Sequence, residues 1–129
     1  MAERMQIGEV AERTGLSQRT IRYYGEVELV SPSSRTDGGF RLYTDRDLEK
    51  LALVKRMKPL DFSLEEMREV LELLDALSEA EDLPDPRRQE MLDRLGEIRV
   101  LAEERRSRLE ARLSAARAFV GHLDATLRR

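Results

Sequence analysis

The chain has no cysteine and no tryptophan, and its single histidine is His122. Without cysteine these residues can form no disulfide, thiolate metal site, iron–sulfur cluster or thiol switch. One histidine cannot assemble a metal cluster, so no metal and no cofactor are expected. Aromatic residues are only 5% of the 129 residues, and any core must therefore be mainly aliphatic. No apolar run approaches the roughly eighteen residues that cross a bilayer, and the N-terminus lacks the apolar stretch of a secretory signal. A cytoplasmic protein with no membrane partner is expected. Catalysis has no foothold either. There is no Gly-rich phosphate loop, and acidic pairs such as Glu65-Glu66 and Glu103-Glu104 read as solvated helix faces.

Charge is plentiful, at 38% of residues, but the net value of −3 is unevenly spread. Residues 1–58 carry +2 and residues 59–129 carry −5. That asymmetry directs any contact with a polyanion to the first half.

Ile7, Val10, Ala11 and Thr14 recur at helical spacing and Gly15 stops the run, giving a helix over about 7–14. Ser17 can accept a hydrogen bond from a backbone N–H and start a second helix, about 17–27. Two short helices joined by a tight glycine-containing turn form the helix-turn-helix pattern, whose second helix enters the major groove. Here that helix begins SQRTIRYY, residues 17–24. From residue 31 the composition changes to SPSSRTDGGFRLYT. Asp37-Gly38-Gly39 suits a hairpin turn with positive φ, so a two-stranded wing over about 33–43 is expected.

Thr44 with Asp47 is a weak capping box opening a third helix, about 44–58, which Pro59 should end. Ser63-Leu64-Glu65-Glu66 is a full capping box for a fourth, about 63–78. Residues 1–80 thus read as one DNA-binding domain. After Pro84-Asp85-Pro86, where Asp85 can cap and Pro86 suits the first turn, residues 87–129 contain no proline. Residues 86–129 read as one helix of about forty residues, on the order of 60 Å long at 1.5 Å per residue. Met91, Leu95, Ile98, Ala102, Leu109, Leu113, Ala116, Val120, Leu123 and Leu127 form a narrow seam that slips phase near Arg105, as a stutter does. Such a seam needs a partner helix, and a two-fold homodimer is the economical one.

These motifs resemble the MerR family of bacterial transcription regulators. The resemblance runs from about Ile7 to Leu74, through IGEVAERTGLSQRTIRYY, GGFRLYTDRDLEKL and DFSLEEMREVL. It implies a mainly α fold, with a winged helix-turn-helix domain followed by a long C-terminal dimerisation helix in an antiparallel coiled coil. It also implies a homodimer on double-stranded promoter DNA that distorts an overlong spacer so that RNA polymerase engages both promoter elements. The family commonly places an acidic residue after the paired aromatics and a glycine shortly before the leucine ending the second helix, where this chain has Gly25 and Glu28. It commonly reads Leu-Gly-Phe-Ser where this chain has Leu60-Asp61-Phe62-Ser63.

Cations neutralise phosphates and side chains at base edges supply specificity. Gln18 and Arg19 are assigned to base edges, with Ser17 and Thr20 offering further hydrogen bonds near the helix start. Arg22, Tyr23 and Tyr24 suit phosphate, with one tyrosine ring packed on the core; the bland alternative makes both ordinary core aromatics. Arg35, Arg41 and Tyr43 present two cations and a phenol around the wing. Lys58 lies with Lys55 and Arg56 at a basic helix end, where such charges equally answer the helix dipole. Metal and redox branches of the family sense through cysteines, and the drug-binding branch through an added C-terminal domain, which is not expected here after Arg129. A small hydrophobic effector lined by Met67, Leu71, Leu74, Met91 and Phe119 is one further expectation, and plain core packing is its alternative. Two rival functions stay open: a coiled-coil interaction adaptor, and an excisionase-like architectural protein that bends DNA.

Overall fold

In the computed structural model, residues 4–79 and 85–129 are described. In chain order the elements are β1 (Arg4–Gln6), α1 (Ile7–Thr14), α2 (Gln18–Glu26), β2 (Ser34–Arg35), β3 (Arg41–Thr44), α3 (Asp45–Met57), α4 (Leu64–Glu79) and α5 (Asp85–Leu127). A single 3-10 turn at Lys58–Leu60 follows α3. The fold is mainly helical, with a small wing sheet and one long C-terminal helix. It divides into two compact units, Met1–Asp75 and Ala76–Arg129, with the boundary inside α4. Residues 80–84, between α4 and α5, lie outside the described set, and Asp85, expected as the cap, is the first residue of α5.

The first unit is held by aliphatic packing. Val10 of α1, Ile21 of α2 and Leu51 and Val54 of α3 are fully buried, joined by Met67, Val70 and Leu71 from α4. Burying each such side chain is worth about 1.5–3 kcal/mol. Local capping sets where the helices start. The Ser17 hydroxyl accepts from the Thr20 amide at 3.0 Å. Thr44 and Asp47 form a reciprocal box at α3, and Ser63 and Glu66 do the same at α4, at 2.9 and 3.0 Å. Asp47 is itself buried, and its Oδ2 also accepts from the Ser33 hydroxyl at 2.5 Å, fastening the approach to the wing onto α3.

The end of α1 is closed from a distance. Gly15 adopts φ 75, and the Lys55 ammonium of α3 donates to the Thr14 carbonyl at 2.7 Å. A Cβ at Gly15 would lie 2.6 Å from that ammonium, the movable end of a long side chain, so it is the positive φ that selects glycine here. Lys55 therefore answers the dipole of α1 rather than adding a free charge to the end of α3.

The wing is larger than the two-stranded hairpin expected. β1 pairs antiparallel with β3, giving a three-stranded sheet of order β1-β3-β2. Met5 lies opposite Tyr43, and both are buried. At the tip only Gly39 has positive φ, at 83, and its amide donates to the Thr36 carbonyl at 2.9 Å. Phe40 then pairs back to Thr36, as in a turn followed by a left-handed bulge residue.

In the second unit α5 is one unbroken helix of 43 residues. Arg106 bridges Glu103 and Glu110 on its surface. Leu95, Ile98 and Ala102 are half-buried. Ala116 is exposed, and Leu109, Leu113, Val120 and Leu123 are 39–55% exposed.

Candidate nucleic-acid interface

The α2 helix divides sharply into two faces. Ile21 and Tyr24 point into the core, whereas Gln18, Arg19, Arg22 and Tyr23 lie outside. Three- and four-residue spacings put each set on its own side. The two tyrosines resolve by burial: Tyr24 is 4% exposed and Tyr23 45%, with their rings 5.8 Å apart and tilted at 51°. Burial, and secondarily the neighbouring Tyr23, pushes the Tyr24 phenol above its ordinary pKa.

Ser17 and Thr20 are engaged in the helix itself, because the Ser17 hydroxyl donates to Thr20 Oγ1 at 2.8 Å while capping the Thr20 amide. Arg22 donates to Gln18 Oε1 at 3.3 Å, a four-residue contact that aligns both side chains outside the helix. Among the described residues Arg19 and Lys58 make no ion pair or side-chain hydrogen bond, and both are exposed.

In the wing, Arg35 and Arg41 stand directly opposite one another across the β2–β3 ladder. Like charges in that position repel. Arg35 also donates to the Gly39 carbonyl at 3.2 Å, which orients its guanidinium over the turn. The arrangement concentrates positive charge on the wing.

Tyr43 corrects the expectation placed on it. It is fully buried, and its hydroxyl has no hydrogen-bond partner. A phenol so placed does not present itself to DNA; it anchors the wing to the core. Burial raises its pKa most, with Asp47 adding to that, while Arg41, Arg35 and Arg22 act in the opposite direction.

The structure adds two residues to this surface. Arg4 of β1 donates to the Ser34 hydroxyl at 2.9 Å, supplying a further cation to the sheet. Phe40 is 65% exposed at the wing tip, beside Arg41. Its position in a polar turn was the only sequence signal. In the effector set considered above, Met67 and Leu71 are core residues, Met91 is half-buried, and Leu74 and Phe119 are exposed.

The description "MerR HTH family regulatory protein" matches residues 5–74. The chain belongs to that family. Among curated relatives, the HTH-type transcriptional regulator CueR of Yersinia pestis is 45% identical over 69 residues, 54% of this chain and 50% of that protein. The chain spans about half the length of several curated relatives it matches. Among solved structures, the N-terminal part of the Bacillus subtilis multidrug transporter activator, MtaN, is 30% identical with a TM-score of 0.55, covering 95% of this chain and 97% of that one. HiNmlR, a MerR family regulator lacking the sensor domain and solved on promoter DNA, shares the fold at a TM-score of 0.60 and 23% identity, covering 98% of this chain and 88% of that one. The relatives are transcriptional regulators, not enzymes. No helix among the described residues is long and apolar enough to cross a membrane, and no group of potential metal ligands was found among them.

Proposed function

We propose that this chain is a sequence-specific, DNA-binding transcription regulator that acts as a homodimer at a palindromic promoter operator in the bacterial cytoplasm. The observation that carries the reading is the exposed face of α2, which turns Gln18, Arg19 and Arg22 outward, with Lys58 beside Arg19; the paired wing cations Arg35 and Arg41 add to it. Gln18 and Arg19 read base edges in the major groove, and Arg22, Tyr23, Arg35, Arg41 and Lys58 hold phosphates. Ser17 and Thr20 act by fixing the start of the reading helix and presenting its amides.

The seam on α5 supports the dimer. Leu109, Leu113, Val120 and Leu123 are too apolar to stand exposed on an isolated helix, and antiparallel pairing with a second copy covers them together with Leu95, Ile98, Ala102 and Ala116. Two reading helices then address two half-sites. Bending or untwisting the spacer costs several kcal/mol by elastic estimates, which phosphate contacts from two protomers offset, and RNA polymerase is the partner that uses the distorted promoter.

The test has two arms. Light scattering on the full chain should give twice the chain mass, and gel shifts with circularly permuted operator fragments should show mobility that depends on site position. A monomer would remove the two-fold reading. Position-independent mobility would remove bending.

A further inference from the structure

Between α2, the 3-10 turn after α3 and the start of α4 lies a cleft of about 390 Å³, open to solvent. This size falls within the range of small-molecule sites. It is lined by three largely buried core side chains, Tyr24, Phe62 and Met67, by half-buried Leu64, and by Thr20 and Tyr23 of α2. Arg19 and Lys58 also line it, and among the described residues neither charge is answered by an acidic side chain.

The combination is amphiphilic. A hydrated DNA phosphate can satisfy the two cations, but it has no use for an apolar floor of phenyl, phenol and thioether groups. A ligand with one anionic end and an apolar body uses both. Such a ligand would also occupy Arg19, assigned to base reading, and Lys58, assigned to phosphate.

We propose that this cleft binds an amphiphilic organic anion of the medium-chain or aryl carboxylate class, and that the bound anion competes with DNA for Arg19 and Lys58. The competition rests on the DNA-binding reading; the binding site does not. The carboxylate pairs with the two cations, the chain lies on Met67 and Phe62, and release of the duplex follows from loss of two positive contacts per protomer.

Methyl NMR of the full chain, following Met67 and Leu64 during titration with decanoate, tests the site directly. Saturable shifts of both methyls are expected with decanoate, no such shifts with inorganic phosphate, and weaker binding with decanol. Lys58→Gln should bring decanoate affinity down toward that of decanol. Saturating decanoate should weaken binding of a selected duplex by about tenfold, the usual range for coupled sites. Leu64→Trp, which fills the cleft, should abolish that effect, measured as the ratio of this variant's own duplex affinities with and without decanoate.

Unmoved Met67 and Leu64 methyls overturn the proposal. So do shifts reproduced by phosphate alone, which would mark a plain anion site, and an effect of decanoate that survives Leu64→Trp. If the methyls shift as expected but no duplex is bound under any condition, the binding site stands and the competition falls with the DNA reading.

Discussion

Arg68 of α4 donates a 2.7 Å hydrogen bond to the carbonyl of Val27, the residue that ends α2. The two are 41 residues apart in sequence, and the contact is half-buried. It closes the C-terminal end of the helix that carries Gln18, Arg19 and Arg22, and a guanidinium suits that end because of the helix dipole. Arg68→Met should destabilise the fold by about 1.5–3 kcal/mol, the usual worth of a hydrogen bond to a charged group. Urea unfolding of the full chain measures this, and amide exchange at Leu29 and Val30 should accelerate more than exchange in α1.

Glu28 adopts φ 57, the left-handed region, at the place where the family resemblance leads one to expect glycine. Asp61 does the same at φ 56. The backbone thus keeps the glycine geometry while the side chain bears its strain, which is milder for Asp than for Glu. Glu28→Gly should raise stability by about 0.5–1 kcal/mol and raise the melting temperature by a few degrees. Thermal unfolding followed by circular dichroism decides it, and a lower melting temperature would mean that Glu28 makes a compensating contact.

Arg35 and Arg41 oppose each other across the β2–β3 ladder, and the proposed function gives them a phosphate to hold. Arg41→Gln should leave the melting temperature equal or slightly higher, since cross-strand repulsion is removed. The same change should weaken DNA binding nearly uniformly across sequences and reduce the slope of log affinity against log salt by about one per protomer. Fluorescence anisotropy at several salt concentrations reads both quantities.

Asp75 receives Arg46 at 2.8 Å and Lys50 at 2.9 Å, joining α4 to α3. Burial is the largest single influence and pushes its pKa up, but the hydrogen bonds and charges of Lys50 and Arg46 together outweigh it and hold the carboxyl below its ordinary 3.8. A lowered folded value means the stabilisation is present above the ordinary value and is lost as pH falls through the folded one. Asp75→Asn should therefore be less stable than the parent at neutral pH, with the gap closing below 3.8. Urea unfolding of both chains at a series of pH values measures the gap. The carboxylate is about a third exposed, so the gap should be small and should shrink in high salt.

What was legible in the sequence was local. Ser17, the Thr44–Asp47 pair and the Ser63–Glu66 pair sit within three residues of the amides they cap, so their spacing alone announces the helix starts. The long helix was equally plain, because no proline interrupts it after Pro86. What failed was non-local. β1 is three residues long and becomes a strand only by pairing with β3, some forty residues away. Tyr43 groups by sequence with Arg35 and Arg41 as a wing residue, but it alone of β3 is buried, while Arg41, Leu42 and Thr44 are half-buried. The roles of Lys55 and Arg68 each depend on a carbonyl 41 residues distant, which no periodicity can reveal.

On the proposed function α2 reads DNA sequence, and the dimer does so twice. Selection of bound duplexes from a random library, run in parallel with the parent chain and with Arg19→Ala, tests it most directly. The parent should enrich an inverted repeat, and Arg19→Ala should lose preference at one base pair in each half-site while keeping the repeat and its spacing. Enrichment of no repeat by the parent would rule out the two-fold reading, and identical base preferences in the two selections would rule out base contact by Arg19.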